Sequence, residues 1–148
     1  MSDVTTLVQT VRDLLRRAPR ASLATVNEHG APYASLVLVA DDDAGAPILL
    51  LSDLAEHTKN LARDPRASLL VESEAGERDP LATPRASFLG TVARSDAAAR
   101  ARFVARHPSA SLYAGFADFA AYRFVVERVH LVAGFGRIDW ISGRDYAG

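Results

Sequence analysis

The apolar positions change their period several times along the chain, and each change marks an expected element. Val4, Leu7, Val8, Val11, Leu14, Leu15 and Ala18 recur at helical spacing behind Ser2 and Asp3, both good N-cap types, so an amphipathic helix is predicted over 4–18, ending before Pro19. From Ala21 the period becomes two. The runs 21–26 and 33–39 flank the turn signal Asn27-Glu28-His29-Gly30 and read as a β-hairpin. After the polar stretch Asp41 to Gly45, the apolar run 48–51 supplies a third strand, and the three are expected to form a meander.

A short helix over 54–63 is stopped by Asp64-Pro65, and Ala67 to Val71 reads as the next strand. Residues 72–84 are too charged and too rich in proline to be anything but a solvated loop. The strand pattern returns at 86–92. An alanine- and arginine-rich helix over 96–107 ends at Pro108, and the last strands are 122–132 and 135–141. Six to seven strands in hairpin order with three flanking helices predict the α+β class, an antiparallel barrel rather than a doubly wound parallel sheet. At 148 residues, with no internal repeat, the chain reads as one domain over 1–148.

Composition removes several classes of chemistry. There is no cysteine, which excludes disulfides, thiolate metal sites and thiol catalysis. Seventeen basic against eighteen acidic side chains leave a net charge of -1, so no excess positive charge draws in nucleic acid. The first thirty residues show no secretory signal and no apolar run is long enough to span a bilayer, which predicts a cytoplasmic protein with no membrane partner. Of four histidines, His29 falls in a turn, His57 on a short helix, His107 at a helix end and His130 in a strand; no pair has i,i+4 spacing, so no metal site is expected. The glycine-rich phosphate loops and the Gly-x-Ser-x-Gly elbow are absent.

One stretch carries chemistry. In Leu49 to Leu61 a strand runs straight into a helix, and a helix start offers free N–H groups that suit a phosphate, with His57, Thr58 and Lys59 as further donors. A solvated helix face fits the same residues.

The motif series Ala24-Thr25 to Ser35-Leu36-Val37-Leu38, Ser52 to Leu61, and Asp64-Pro65-Arg66-Ala67-Ser68-Leu69 resembles the pyridoxamine-phosphate-oxidase-related, FMN-binding split barrels. Asp79-Pro80-Leu81, Pro84-Arg85, His107-Pro108, Asp118-Phe119 and Gly134 to Arg137 resemble the haem-utilisation branch, so the resemblance covers 20–141. It implies a split barrel, FMN as cofactor, a small-molecule substrate, oxidoreductase chemistry and a homodimer. It also implies a cofactor site from Ser35, Leu36, Val37, Leu38, Leu51, Ser52, His57, Thr58 and Lys59, with Arg85 reaching in from the partner subunit and Trp140 as a stacking surface.

Departures limit what carries over. Where the oxidases grip phosphate with Arg, Arg and Lys, this chain has Ser35, Glu56 and His57, and the substrate-holding positions hold Ala40, Phe103, His107 and Ser111. Pyridoxamine-phosphate oxidase activity is therefore not expected. The alternatives are haem binding on the same dimeric barrel, with His107 or His130 as iron ligand, or a binding module without cofactor. Longer relatives in the haem-utilisation branch carry a further C-terminal domain, so a ligand supplied there is not expected within these 148 residues.

Overall fold

The computed structural model describes residues 3–148. Ser2, one of the two cap candidates, lies outside them. Asp3 performs the capping: its carboxylate accepts the Thr6 N–H at 2.8 Å and starts α1 (Val4–Arg17). Helix α1 buries Leu7, Val11, Leu14 and Leu15 against the sheet, the stripe that the helical spacing predicts.

Eight strands follow: β1 (Ala21–Val26), β2 (Pro32–Val37), β3 (Ala40–Asp41), β4 (Pro47–Ser52), β5 (Arg66–Glu72), β6 (Arg85–Arg94), β7 (Phe119–Gly134) and β8 (Arg137–Ser142). Helix α2 (Glu56–Arg63) joins β4 to β5, α3 (Ala97–Arg106) joins β6 to β7, and a short α4 (Gly143–Ala147) ends the chain. Asp96 and His107, read as helical, are the N-cap and C-cap of α3. Strand β3 and helix α4 have no counterpart among the expected elements, and β7 is longer at both ends.

The predicted meander does not form. β1 pairs with β2 and β5, whereas β4 leaves β2 and pairs with β7 and β3. The reason lies in β4 itself: Ile48, Leu49, Leu50 and Leu51 are all buried, so this strand needs cover on both faces. Leu49 and Leu51 join the main core with Leu23, Phe88, Phe124 and Leu131, while Ile48 and Leu50 join a second cluster beneath α3 with Phe103, Ala110 and Ala121.

The strand path β2-β1-β5-β6-β7-β4-β3 puts β2 and β3 at its two ends, with β8 added alongside β7. Only Leu38 and Val39 connect those two end strands. Three Cα steps reach at most about 10 Å, so the sheet must curl until its edges nearly meet. The result is an antiparallel α+β barrel with a seam where β2 and β4 run side by side without pairing. A bulge assists the curl: Leu89 pairs with Arg128 and Gly90 with Val126, leaving Glu127 as an extra residue on β7. Beyond it β7 exchanges β4 for β8 as its neighbour.

Candidate functional site

The seam is where side chains capable of chemistry meet a crevice. At the end of β4, the Ser52 hydroxyl donates to Asp118 Oδ2 at 2.7 Å and accepts from the Leu54 N–H at 3.2 Å, while the Asp53 N–H donates to the Asp118 carbonyl at 2.7 Å. Asp118 thus pins the turn between β4 and α2. One turn into α2, Asn60 is fully buried and donates to Thr25 Oγ1 on β1 at 3.0 Å, which seats the helix on the barrel.

This seating brings His57 to the seam. Its Nδ1 lies 3.1 Å from Ser35 Oγ on β2, and Ser35 Oγ lies 3.4 Å from the Leu23 carbonyl. Burial lowers the His57 pKa from its ordinary value, so the ring is neutral at pH 7. The crevice around it, about 310 Å³, is lined by Leu36, Val37 and Leu38 from the β2 side, Leu50, Leu51 and Ser52 from β4, and the rings of Phe103, Tyr113 and Phe119. Leu36, one of the lining residues, is 71% exposed. A larger groove between α1 and the 72–84 loop is lined by Asp13, Arg17, Glu72, Glu74 and Arg78, with no histidine or aromatic ring.

Seven of the site residues named from the sequence therefore converge: Ser35, Leu36, Val37, Leu38, Leu51, Ser52 and His57. Thr58 and Lys59 face a neighbouring crevice with Asp53, Arg94 and Tyr122, in which Thr58 Oγ1 is buried without a partner and Arg94 pairs with Asp53 at 3.2 Å. Arg85 and Trp140 do not line the seam crevice. Arg85 donates to the Leu81 carbonyl at 3.1 Å, and Trp140 lies between the Arg128 guanidinium, 3.6 Å from its ring centre, and the His130 ring at 4.4 Å. Within one chain neither reaches the seam. Asp118, Tyr113 and Phe119 were not among the residues assigned to the site; Asp118-Phe119 was noted only as a motif.

His107, expected as a possible iron ligand, is a strut instead. It is 9% exposed, its Nε2 sits 2.7 Å from the Val39 carbonyl, and its ring packs on Phe103. Of the positions matching the oxidases' substrate residues, only Phe103 lines the seam crevice, while Ala40 is 2% exposed inside the second core.

Known proteins agree with the barrel and redirect the cofactor. The chain is 34% identical over 130 residues to the non-canonical heme oxygenase HOZ, chloroplastic, of Arabidopsis thaliana, a match covering 86% of this chain and 40% of that protein. A heme binding protein from Mycobacterium smegmatis superposes with a TM-score of 0.91 at 36% identity, covering 99% of this chain and 61% of that one. A pyridoxinephosphate oxidase family protein from Clostridium acetobutylicum, 13% identical, shares the fold with a TM-score of 0.73 over 98% of this chain and 99% of its own. The chain thus spans 40% and 61% of the first two.

The expectation of FMN is corrected accordingly. These two relatives, at 34% and 36% identity, are named for haem, and the start of α2 explains why the phosphate grip is missing. Glu56 is exposed with its carboxylate in the first turn, His57 is held neutral, Thr58 is turned inward and Lys59 lines a different crevice, so no cluster of cations converges there. No helix among the described residues is long and apolar enough to cross a membrane. The family profile described as CREG, beta-barrel matches residues 2–148, and the chain belongs to that family of split β-barrels, whose fold it shares with the pyridoxamine-phosphate-oxidase-like proteins and the haem-utilisation relatives.

Proposed function

We propose that this chain binds haem at the seam crevice and does so as a homodimer, in a haem-handling role. The observation that carries the reading is a neutral, half-buried histidine in a crevice otherwise walled by leucines and aromatic rings. Haem is a large apolar plane around an iron that accepts an axial nitrogen ligand, and both parts of that description match the donors present. Named haem relatives at 34% and 36% identity support the same reading. When bound, haem supplies iron redox and ligand-binding chemistry; the chain supplies the apolar walls and one nitrogen lone pair.

The outer sheet face supports the dimer. One row of cross-strand neighbours runs Leu36, Ser22, Leu70, Ser87, His130, Trp140 across six strands. It sets Leu36, Leu70 and Trp140, 71%, 40% and 52% exposed, among the shorter polar residues Ser22 and Ser87 and the ring of His130. Ile138, 61% exposed, extends the patch. A standard interface buries about 1,600 Å² in total, and a face spanning six strands offers that area to a second copy. A crevice of about 310 Å³ in one chain is at the small end for a ligand site, so a second copy beside it also serves to complete the walls.

Titrating the purified protein with hemin, read at the Soret band alongside sedimentation velocity, tests both parts. A saturable Soret shift with one hemin per chain and a two-chain sedimenting species is the expected result. A linear, unsaturated absorbance rise would overturn the haem reading, and a single-chain species at micromolar concentration would overturn the dimer.

A further inference from the structure

We infer that His57 is the iron's axial ligand, through Nε2, and that Ser35 is the positioning residue that keeps Nε2 free of a proton. This inference rests on the haem reading above and goes further by naming the ligand, its tautomer and the group that selects it.

A neutral imidazole carries one N–H and one lone pair, and which nitrogen holds which is decided by the partner of the other. Ser35 Oγ has two neighbours. The Leu23 carbonyl, at 3.4 Å, can only accept. With the single hydroxyl hydrogen directed to that carbonyl, the oxygen's lone pairs face His57 Nδ1 at 3.1 Å, which then donates. The chain of donors runs from His57 Nδ1 to Ser35 Oγ to the Leu23 carbonyl and leaves Nε2 as a lone pair. No hydrogen bond among the described residues engages Nε2. This is the arrangement by which proteins prepare a histidine for a metal: the remote nitrogen is anchored, the ring orientation is set, and the near nitrogen is basic.

A serine–histidine nucleophile pair would need a third group orienting the far side of the His57 ring, and no hydrogen bond among the described residues supplies one. The other histidines are less suited. His107 Nε2 is occupied by the Val39 carbonyl in the core. His130 packs against Trp140 on the outer face, which a second copy would cover. His29 sits on an exposed turn beside Glu28. Only His57 combines partial burial and a ring nitrogen within reach of Ser35 Oγ with a crevice in front of it.

The test has three readouts. In the full-length protein without hemin, long-range proton–nitrogen NMR on the His57 ring at pH 8 is expected to show the proton on Nδ1, and Ser35→Ala is expected to shift the ring toward the Nε2-protonated form. With hemin bound and reduced, resonance Raman is expected to show an iron–histidine stretch that His57→Ala abolishes, that added imidazole restores, and that His130→Ala leaves in place. Hemin affinity is expected to fall about tenfold or more in Ser35→Ala, the usual cost of removing an outer partner of a metal-binding histidine. Far-UV circular dichroism establishes that each variant is folded, and His57→Gln serves if the alanine variant is not. An iron–histidine stretch that survives in His57→Ala, or an apoprotein ring protonated on Nε2, overturns the inference while hemin binding itself still stands. Failure of the wild-type protein to bind hemin removes the haem reading and the ligand assignment together.

Discussion

Replacing Asn60 by alanine tests how α2 is held in the position that presents His57. Asn60 is 0% exposed; its Nδ2 donates to Thr25 Oγ1 at 3.0 Å and its Oδ1 accepts from Arg63 at 2.8 Å, while Thr25 is itself 2% exposed. The substitution removes one buried hydrogen bond, worth about 1 kcal/mol net, and strands a dehydrated Thr25 hydroxyl, which costs about 1–3 kcal/mol. The exposed Arg63 guanidinium returns to water and adds little. The sum, roughly 2–4 kcal/mol, corresponds to a fall in the unfolding midpoint of roughly 5–15 °C for a chain of this size. Thermal unfolding followed by circular dichroism measures it. Adding Thr25→Val removes the stranded hydroxyl, so the double variant should recover about 1–2 kcal/mol relative to Asn60→Ala alone. A midpoint within about 2 °C of wild type, or strictly additive effects in the double variant, would refute the view that this pair anchors the helix.

Three further outcomes follow from the same structure. A Cβ on Gly90 would lie 1.9 Å from the Val125 carbonyl oxygen, so Gly90→Ala must displace the β6–β7 bulge and should cost more than about 2 kcal/mol in denaturant unfolding. Leu70→Asp puts a charge at the centre of the outer face, 40% exposed in the single chain, and should convert the dimer to single chains in sedimentation velocity with the far-UV spectrum unchanged. Burial lowers the His57 pKa, so the unfolded chain takes up a proton before the folded one does. That contribution to stability is complete above about pH 6.5 and is lost as the pH falls below it, a slope that His57→Gln should flatten in midpoints measured between pH 5 and 8.

Much of the barrel is legible in the chain because local periodicity reports which side of each element is covered. Leu7, Val11, Leu14 and Leu15 announce the buried stripe of α1, and Asp96 marks the start of α3 by the cap chemistry it performs. The motif from Ser52 to Leu61 identifies a strand running into a helix at the site. The resemblance to the split barrels was right about the fold and misleading about the cofactor, because a fold family preserves its strand path while the few residues that grip a phosphate are free to change. Ser35, Glu56 and His57 already departed from the oxidases' pattern.

What periodicity cannot report is the identity of the partner across an interface. The run Ile48 to Leu51 is apolar at every position, which demands cover on two sides but does not say that β7 and α3 will provide it. The contacts that make the site join residues far apart in the chain: Ser35 to His57 across 22 positions, Ser52 to Asp118 across 66, and Val39 to His107 across 68. A single helix likewise sends His57 to one crevice and Lys59 to another, because residues two apart on a helix point about 200° apart; which crevice each meets depends on where the Asn60–Thr25 bond seats α2 on β1. The sequence by itself determined the elements, their buried faces and the class of barrel, since these follow from local spacing and capping. Only the tertiary structure decided that β2 and β4 leave a seam, that a neutral histidine lies in it, and that His107 is spent on the core, because those outcomes depend on loop closure and on which distant surfaces exclude water together.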